Sequence, residues 1–424
     1  MSVAATRLLL VPSAAEKPES AVRRFSIVIV LLWTLVATSL RAVRLPNDFS
    51  KGHWLIDYRF GFVKRGLIGE LLTLATRAVH ARPTDQLIGT LASIQYIVFC
   101  LVVAAVGLRM IARARWATDT ILLVMVFVSS PFIVMSAHLI GYYDNIIIVM
   151  TVASLLLLAG GRCWQAAVLQ AIAILVHENA LLVGFPAFCG GWWLLDRRMR
   201  QQRLGRLPLW PLLLPVATFA ALSISQSLAP QELEDRLTAH LSRFPFIATN
   251  LPNTRVPHWI TITFAESYRL HQGQFAGRFF SLPMLGLVLP STLACLGFVV
   301  EAYGLPAASI DLLLLMGVCL APQSMHLVAW DTSRIWTYSI LTAFLMAWLY
   351  SELFPSRLRV STFVQLLALI ALVLNAAELT PLMDGLKDHF DLSVRFWMYA
   401  PTVVAAVFLL SREDQRAMPV QPDR

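Results

Sequence analysis

Four short stretches of this chain place ionisable side chains where chemistry is possible. The densest is DFSKGHWLIDYRFGFVKRGLIGELL, from Asp48 to Leu72, which sets Asp48 and Asp57 among Arg59, Lys64 and Arg65, with Trp54, Tyr58, Phe60 and Phe62 interspersed. A carboxylate there can take the proton of an attacking sugar hydroxyl, while guanidinium and ammonium groups neutralise a departing phosphate. The rings can stack on a sugar face or settle at the headgroup belt. An ordinary interfacial loop held by Arg–Asp pairs would use the same residues.

The second stretch, HENALL (177–182), puts His177 beside Glu178 in a region otherwise almost free of charge. At membrane depth that is costly unless the pair faces water, a ligand or a partner, so it suits proton relay, metal binding or substrate hydrogen bonding. The zinc pattern HExxH fails because position 181 is Leu. The third, GYYDN (141–145), offers Asp144 as a second carboxylate, a metal ligand, or the N-cap of a helix starting at Asn145. The fourth, HLVAWDTSRIW (326–336), carries Asp331 and Arg334 three apart, so they share a helix face. They either pair or hold a phosphate, with Asp331 orienting Arg334.

These residues must be positioned by elements that live in lipid. Hydrophobic residues make up 58% of the 424, charged residues 14%, and mean hydropathy is +0.68, more apolar than a soluble core of this length needs. Apolar runs predict helices over roughly 25–42, 88–110, 117–136, 145–159, 164–176, 180–196, 208–227, 281–300, 305–322, 336–352, 360–377 and 396–411. The expected fold is therefore all-α, a polytopic transmembrane bundle of about twelve spans. It comprises a cytoplasmic tail (1–24), one membrane domain (25–411) with long outer loops at 43–87 and 228–280, and a second cytoplasmic tail (412–424). The segment 66–80 reads as interfacial or re-entrant. Leu233, Leu237 and Leu241, at i, i+4 and i+8, predict an amphipathic helix on the outer leaflet over 230–243. A loop as long as 228–280 is expected to cover or gate a cavity.

Orientation follows from basic short loops, which favour the cytoplasm. Arg109, Arg113 and Arg115 form one, Arg197, Arg198, Arg200, Arg203 and Arg206 another, and Arg23 with Arg24 precedes the first helix. With an even span count both termini share that side. Of the 34 Lys and Arg, about 16 fall outside, mostly in the two long loops where charge predicts least. A basic outer surface suits phosphate or pyrophosphate. All nine histidines fall at or beyond the same surface. The net charge of +9 is divided among loops, which favours anionic lipid over nucleic acid as a partner. The five cysteines lie in or beside apolar runs without paired spacing and are assigned to packing.

The chain has no Walker A loop, GxGxxG, GxSxG or zinc-cluster spacing, so ATPase, dinucleotide and α/β-hydrolase chemistry lack support, and no motif specifies a cofactor. The multispan layout, the DYRFGFVKRG loop, the HEN and WDTSR motifs and the long outer loop together resemble bacterial membrane glycosyltransferases and polysaccharide polymerases of the GT-C, EpsG-like and O-antigen-polymerase kind. The resemblance covers most of the membrane domain in architecture and a few short motifs in sequence. The paired-acid DD or DE signature common in the GT-C group is absent.

The resemblance implies a bacterial inner-membrane enzyme that takes a sugar from a polyprenyl phosphate or pyrophosphate carrier at the outer face and passes it to a glycan or lipid acceptor. It puts the base at Asp57, with Asp48 as the alternative. Arg59, Lys64, Arg65 and Arg334 would bind the carrier phosphate, His177 and Glu178 would position the acceptor or complete proton transfer, and Asp144 and Asp331 would support binding. The competing expectation is a transporter or flippase for an anionic or lipid-linked solute, which would place ionisable groups near the midplane and often shows paired repeats.

Overall fold

Apolar runs of this density leave the backbone one way to satisfy its polar groups in lipid, the helix. The computed structural model describes residues 18–417 apart from 231, 308, 355–358 and 383–384, and contains no strand among the described residues. The first half comprises α1 (Pro18–Leu40), α2 (Asp48–His53), α3 (Gly66–Ala78), α4 (Asp85–Arg113), α5 (Thr118–Val128), α6 (Pro131–His138), α7 (Asp144–Ala159), α8 (Cys163–Val176), α9 (Ala180–Gln201) and α10 (Leu213–Ser227). Short helices follow as α11 (Leu233–Leu241), α12 (Pro245–Ala248), α13 (Leu251–Thr254), α14 (Val256–Thr261), α15 (Phe264–His271) and α16 (Phe275–Phe279). The chain then forms α17 (Leu282–Ala302), α18 (Ile310–Leu320), α19 (Thr332–Leu353), α20 (Thr362–Leu374) and α21 (Leu392–Ala417).

All twelve apolar segments expected to be helical fall on helices. Among the described residues six stretches are long and apolar enough to cross a membrane: Ala21–Leu40, Asp85–Arg113, Thr118–His138, Leu282–Ala302, Ile310–Leu327 and Leu392–Arg412. Helices α7, α8 and α20 are apolar but shorter. The protein is thus a polytopic helical membrane protein. Helices α1 and α21 extend into the stretches expected as tails, whose outer residues, 1–17 and 418–424, lie outside the described part.

Two elements occupy the axis. The stretch Thr118–His138 is buried along its length, with Pro131 restarting the helix after a break at Ser129 and Ser130. Helix α19 is buried from Ser333 to Tyr350. A helix apolar on every side needs protein on every side. Phe127 of α5 and Phe344 of α19 stack at 3.7 Å between centroids, tying the two together. Around them α17 packs on α19 and α20, α9 on α19 and α7, and α8 on α7 and α10. At the end of the bundle far from the motifs, Arg109 pairs with Glu352 at 2.5 Å, joining the close of α4 to the close of α19.

Two interfacial expectations resolve differently. Helix α3 keeps Leu71 and Leu74 exposed while Gly69 and Leu72 face inward, an amphipathic pattern compatible with an interface. In α11 the Leu233, Leu237 and Leu241 face is buried in the protein rather than laid on a leaflet. His240 of that helix meets the Leu55 carbonyl at 2.9 Å, so α11 fastens the long loop onto the first one. The leucine periodicity was legible; what it would pack against was not.

Candidate functional site

The loop after α2 reaches the bundle through close backbone approaches. Gly69 of α3 lies so near Ile56 that a Cβ there would sit 1.9 Å from the Ile56 carbonyl oxygen. Gly141 adopts φ 93°, a conformation favouring glycine, and its carbonyl accepts the Trp54 indole N–H at 2.8 Å. The second of these contacts joins the first motif to the third, beneath the short helices α11 to α15.

Between them lies a cavity of about 690 Å³. Its polar lining includes Asp48, Lys64, Arg65, Glu178, Arg255, Asp331 and Arg334. Its apolar lining includes Leu182, Phe219, Trp259, Phe264, Val328 and Trp330. Helix α8 stops at Val176 and His177 takes an extended conformation before α9 starts at Ala180, which turns Glu178 and Asn179 into the cavity. The long loop 228–280 supplies Asn250, Asn253, Arg255 and Trp259 as its roof, the covering role expected of it.

Most charges here are matched. Glu178 accepts from Arg65 at 2.6 Å, and Arg65 also donates to His53 Nε2 at 3.0 Å. Burial pushes the Glu178 carboxyl up, but Arg65 overrides it and holds the group well below the usual carboxylate range. His177 Nδ1 accepts the Asn179 N–H at 3.1 Å, which leaves its proton on Nε2. Its 3.3 Å approach to Glu178 is therefore a contact of a neutral ring, in keeping with burial lowering the imidazole pKa. His177 does not line the cavity; it stands behind Glu178 and shapes the turn.

Arg334 donates to Asp144 at 2.6 Å, to Asp331 at 3.2 Å and to the Tyr338 hydroxyl at 3.1 Å, while that hydroxyl also donates to Asp144. The shared helix face of Asp331 and Arg334 is thus a real pair, and Asp144 neutralises Arg334 across the bundle. Asp144 is the first residue of α7 and its side chain caps nothing, because the position before it, Tyr143, is the cap. Asp144 Oδ2 is buried with no hydrogen-bond partner among the described residues.

Two cations of the cavity make no ion pair among the described residues. Lys64 Nζ donates to the Ile262 carbonyl at 2.8 Å, with Glu178 and Glu266 acting on it only from a distance. Burial lowers its pKa to about 8. Arg255 is exposed to the cavity, has no ion-pair or side-chain hydrogen-bond partner among the described residues, and holds its backbone at φ 51°. Arg65, at φ 61°, is a second non-glycine residue in this left-handed region. Such strain persists where surrounding structure enforces it and clusters at working sites. His271 also lines the cavity, and its buried Nε2 has no hydrogen-bond partner among the described residues.

Asp57 is placed elsewhere. It caps the short turn at Tyr58–Phe60, is held by Arg59 at 2.6 Å and by Thr73 at 2.8 Å, and does not line the cavity. Arg59 is spent on the same pair. The alternative carboxylate, Asp48, does line it, accepting from Asn250 at 2.5 Å with Lys51 at 3.7 Å. Sequence reasoning missed Tyr338, Gln226, Asn250 and Asn253. Tyr338 lies one turn beyond Arg334 and could have been found by that spacing; the others carry no local signal. No cluster of three or more His, Cys, Asp or Glu able to hold a metal ion occurs among the described residues.

A family described as uncharacterised membrane protein Rv1490 matches residues 24–261, more than half of the chain, and the protein belongs to it. The match runs from α1 through α14, taking in Asp48, Lys64, Arg65, Asp144, Glu178 and Arg255 but not Asp331 or Arg334. No curated protein and no solved structure matches.

Proposed function

We propose that this member of the Rv1490 family transfers a sugar from a polyprenyl phosphate or pyrophosphate carrier to a glycan or lipid acceptor. The observation that carries the reading is that Lys64 and Arg255, which make no ion pair among the described residues, line a cavity that also has an apolar wall of Leu182, Phe219, Trp259, Phe264, Val328 and Trp330. A cation in an amphipathic cavity is stabilised by an anion that brings its own apolar body, which is what a lipid phosphate is. The acceptor hydroxyl attacks the anomeric carbon as the bond from that carbon to the phosphate oxygen breaks. The lipid phosphate leaves as an anion stabilised by Lys64, Arg255 and Arg65, and the hydroxyl proton passes to Asp48. Glu178 acts by fixing Arg65, and Asp144 with Asp331 by fixing Arg334.

The same reading sets the cavity at the outer face of a bacterial inner membrane with both termini in the cytoplasm. The basic Arg109–Arg115 and Arg197–Arg206 stretches lie at the other end of α4 and α9, which supports that orientation.

Asp48→Asn, Lys64→Met and Arg255→Ala, each checked for normal membrane level, should remove a glycan and accumulate its lipid-linked precursor in a strain depending on the variant. An unchanged glycolipid profile in all three would end the transferase reading. Precursor trapped on the inner leaflet instead would favour a flippase, the alternative that the anion-binding cavity also supports.

A further inference from the structure

A second cavity, of about 650 Å³, lies wholly apart from the first, between the last turns of α9, the segment 206–212 and the start of α18. Its walls are Pro186, Cys189, Gly190 and Trp193 on one side and Leu313, Leu314 and Gly317 on the other. Leu209, Ile310 and Leu313 line it and are also strongly exposed, so it opens onto the apolar surface beside a helix long enough to cross a membrane. Gly317 makes the space: a Cβ built there meets nothing within 4 Å.

The rim is charged. Asp196 accepts from Arg200 at 2.9 Å and from the Leu207 N–H at 2.7 Å, and Arg200 lies 5.5 Å over the Trp193 ring. Trp193 in turn donates to Asp311 at 2.9 Å, and Asp311 is paired with Arg197. Arg206 lines the cavity with no ion-pair or side-chain hydrogen-bond partner among the described residues, and Arg198 and Arg203 beside it likewise lack one. Inside, the wall is apolar, formed by Pro186, Trp192, Leu212, Leu314 and Val318. Whatever fills this space should therefore be apolar in its body and end in an anion.

We propose that this cavity is a binding site for an anionic phospholipid. Its headgroup phosphate rests on Arg206 and Arg200, and an acyl chain lies along Gly317 between α9 and α18. The site is independent of the transferase reading, since it shares no lining residue with the first cavity.

The test uses the full-length protein, delipidated in detergent, with phosphatidylglycerol, phosphatidylcholine or inorganic phosphate, and native mass spectrometry to count bound lipid. Phosphatidylglycerol should remain bound where phosphatidylcholine does not, and phosphate should not displace it. Arg206→Ala, an exposed change that leaves folding intact, should lower occupancy about fivefold, the effect of one basic contact with an anionic headgroup. Gly317→Trp should fill the cavity and abolish retention. Equal retention of the two lipids, or full phosphatidylglycerol occupancy in both variants, would overturn the proposal. Displacement by inorganic phosphate would reduce the site to an anion site without a lipid chain, and overturn it too.

Discussion

Raising the pH should switch off anion binding in the first cavity without unfolding the protein. Burial, with the nearby Arg65 guanidinium adding to it, lowers the Lys64 ammonium from its ordinary 10.5 to about 8 against the pull of Glu178 and Glu266. A phosphate ligand binds the protonated form. Affinity is therefore fully present below about pH 8 and is lost as pH rises through it, by a factor of about 1 + 10^(pH − 8). That is negligible at pH 7 and about elevenfold at pH 9. A phosphate charge about 4 Å away, at an effective dielectric near 20, contributes roughly 4 kcal/mol, about three pKa units, so the bound lysine stays protonated across the range. The ligand's own charge is constant there, because a phosphate monoester's second pKa is about 6.

Calorimetric titration of a short prenyl phosphate between pH 7 and 9 measures this directly. Lys64→Arg, which stays charged, should bind with no such slope. Stability provides an internal control with the opposite sign. A lysine whose folded pKa is lowered binds its proton more readily when unfolded, so its contribution to stability of the empty protein rises between about pH 8 and 10.5. Affinity that is flat from pH 7 to 9, or a tenfold fall that persists in Lys64→Arg, would refute the assignment of Lys64 as the anion contact.

Arg334→Met should cost about 3–5 kcal/mol, because it leaves Asp144 buried with only the Tyr338 hydroxyl on one oxygen and nothing on the other. The thermal midpoint in detergent checks it, and Arg334→Met combined with Asp144→Leu should recover much of the loss. Arg255→Gly relieves a left-handed backbone of roughly 1 kcal/mol while removing a cation, so the unfolding midpoint should rise as prenyl phosphate affinity falls. If both fell, Arg255 would be a structural residue. Gly69→Ala must push α3 off the Ile56 carbonyl, costing about 3 kcal/mol, and should weaken phosphate binding by displacing Lys64 and Arg65. An unfolding midpoint and an affinity both equal to wild type would show that the loop yields.

Local chemistry was readable where it concerned solvent preference. Lipid-compatible runs of the required length fixed an all-helical membrane fold and the places of its helices, because an apolar span has no other way to satisfy its backbone. The HEN and WDTSR motifs were legible as anomalies, since charge in an apolar stretch needs a reason. The value of each ion was not legible, because it depends on a partner far along the chain. Asp57 and Asp48 look alike in sequence. The fold caps and pairs the first through Arg59 and Thr73, and turns the second into the cavity. Asp144 read equally as a second carboxylate, a metal ligand or a cap until α19 brought Arg334 to it across 190 residues.

Sequence by itself determined the solvent, the secondary structure and the short list of residues able to do chemistry, since these follow from side-chain polarity and its spacing. Tertiary structure alone decided which charges cancel and which remain. Lys64 and Arg255 are ordinary basic residues of two basic loops until the packing of α3 on the first loop and the folding of 228–280 over it close a cavity around them in which neither makes an ion pair among the described residues. That outcome rests on distances between segments nearly two hundred residues apart, and Coulomb energy depends on distance and burial, not on order along the chain.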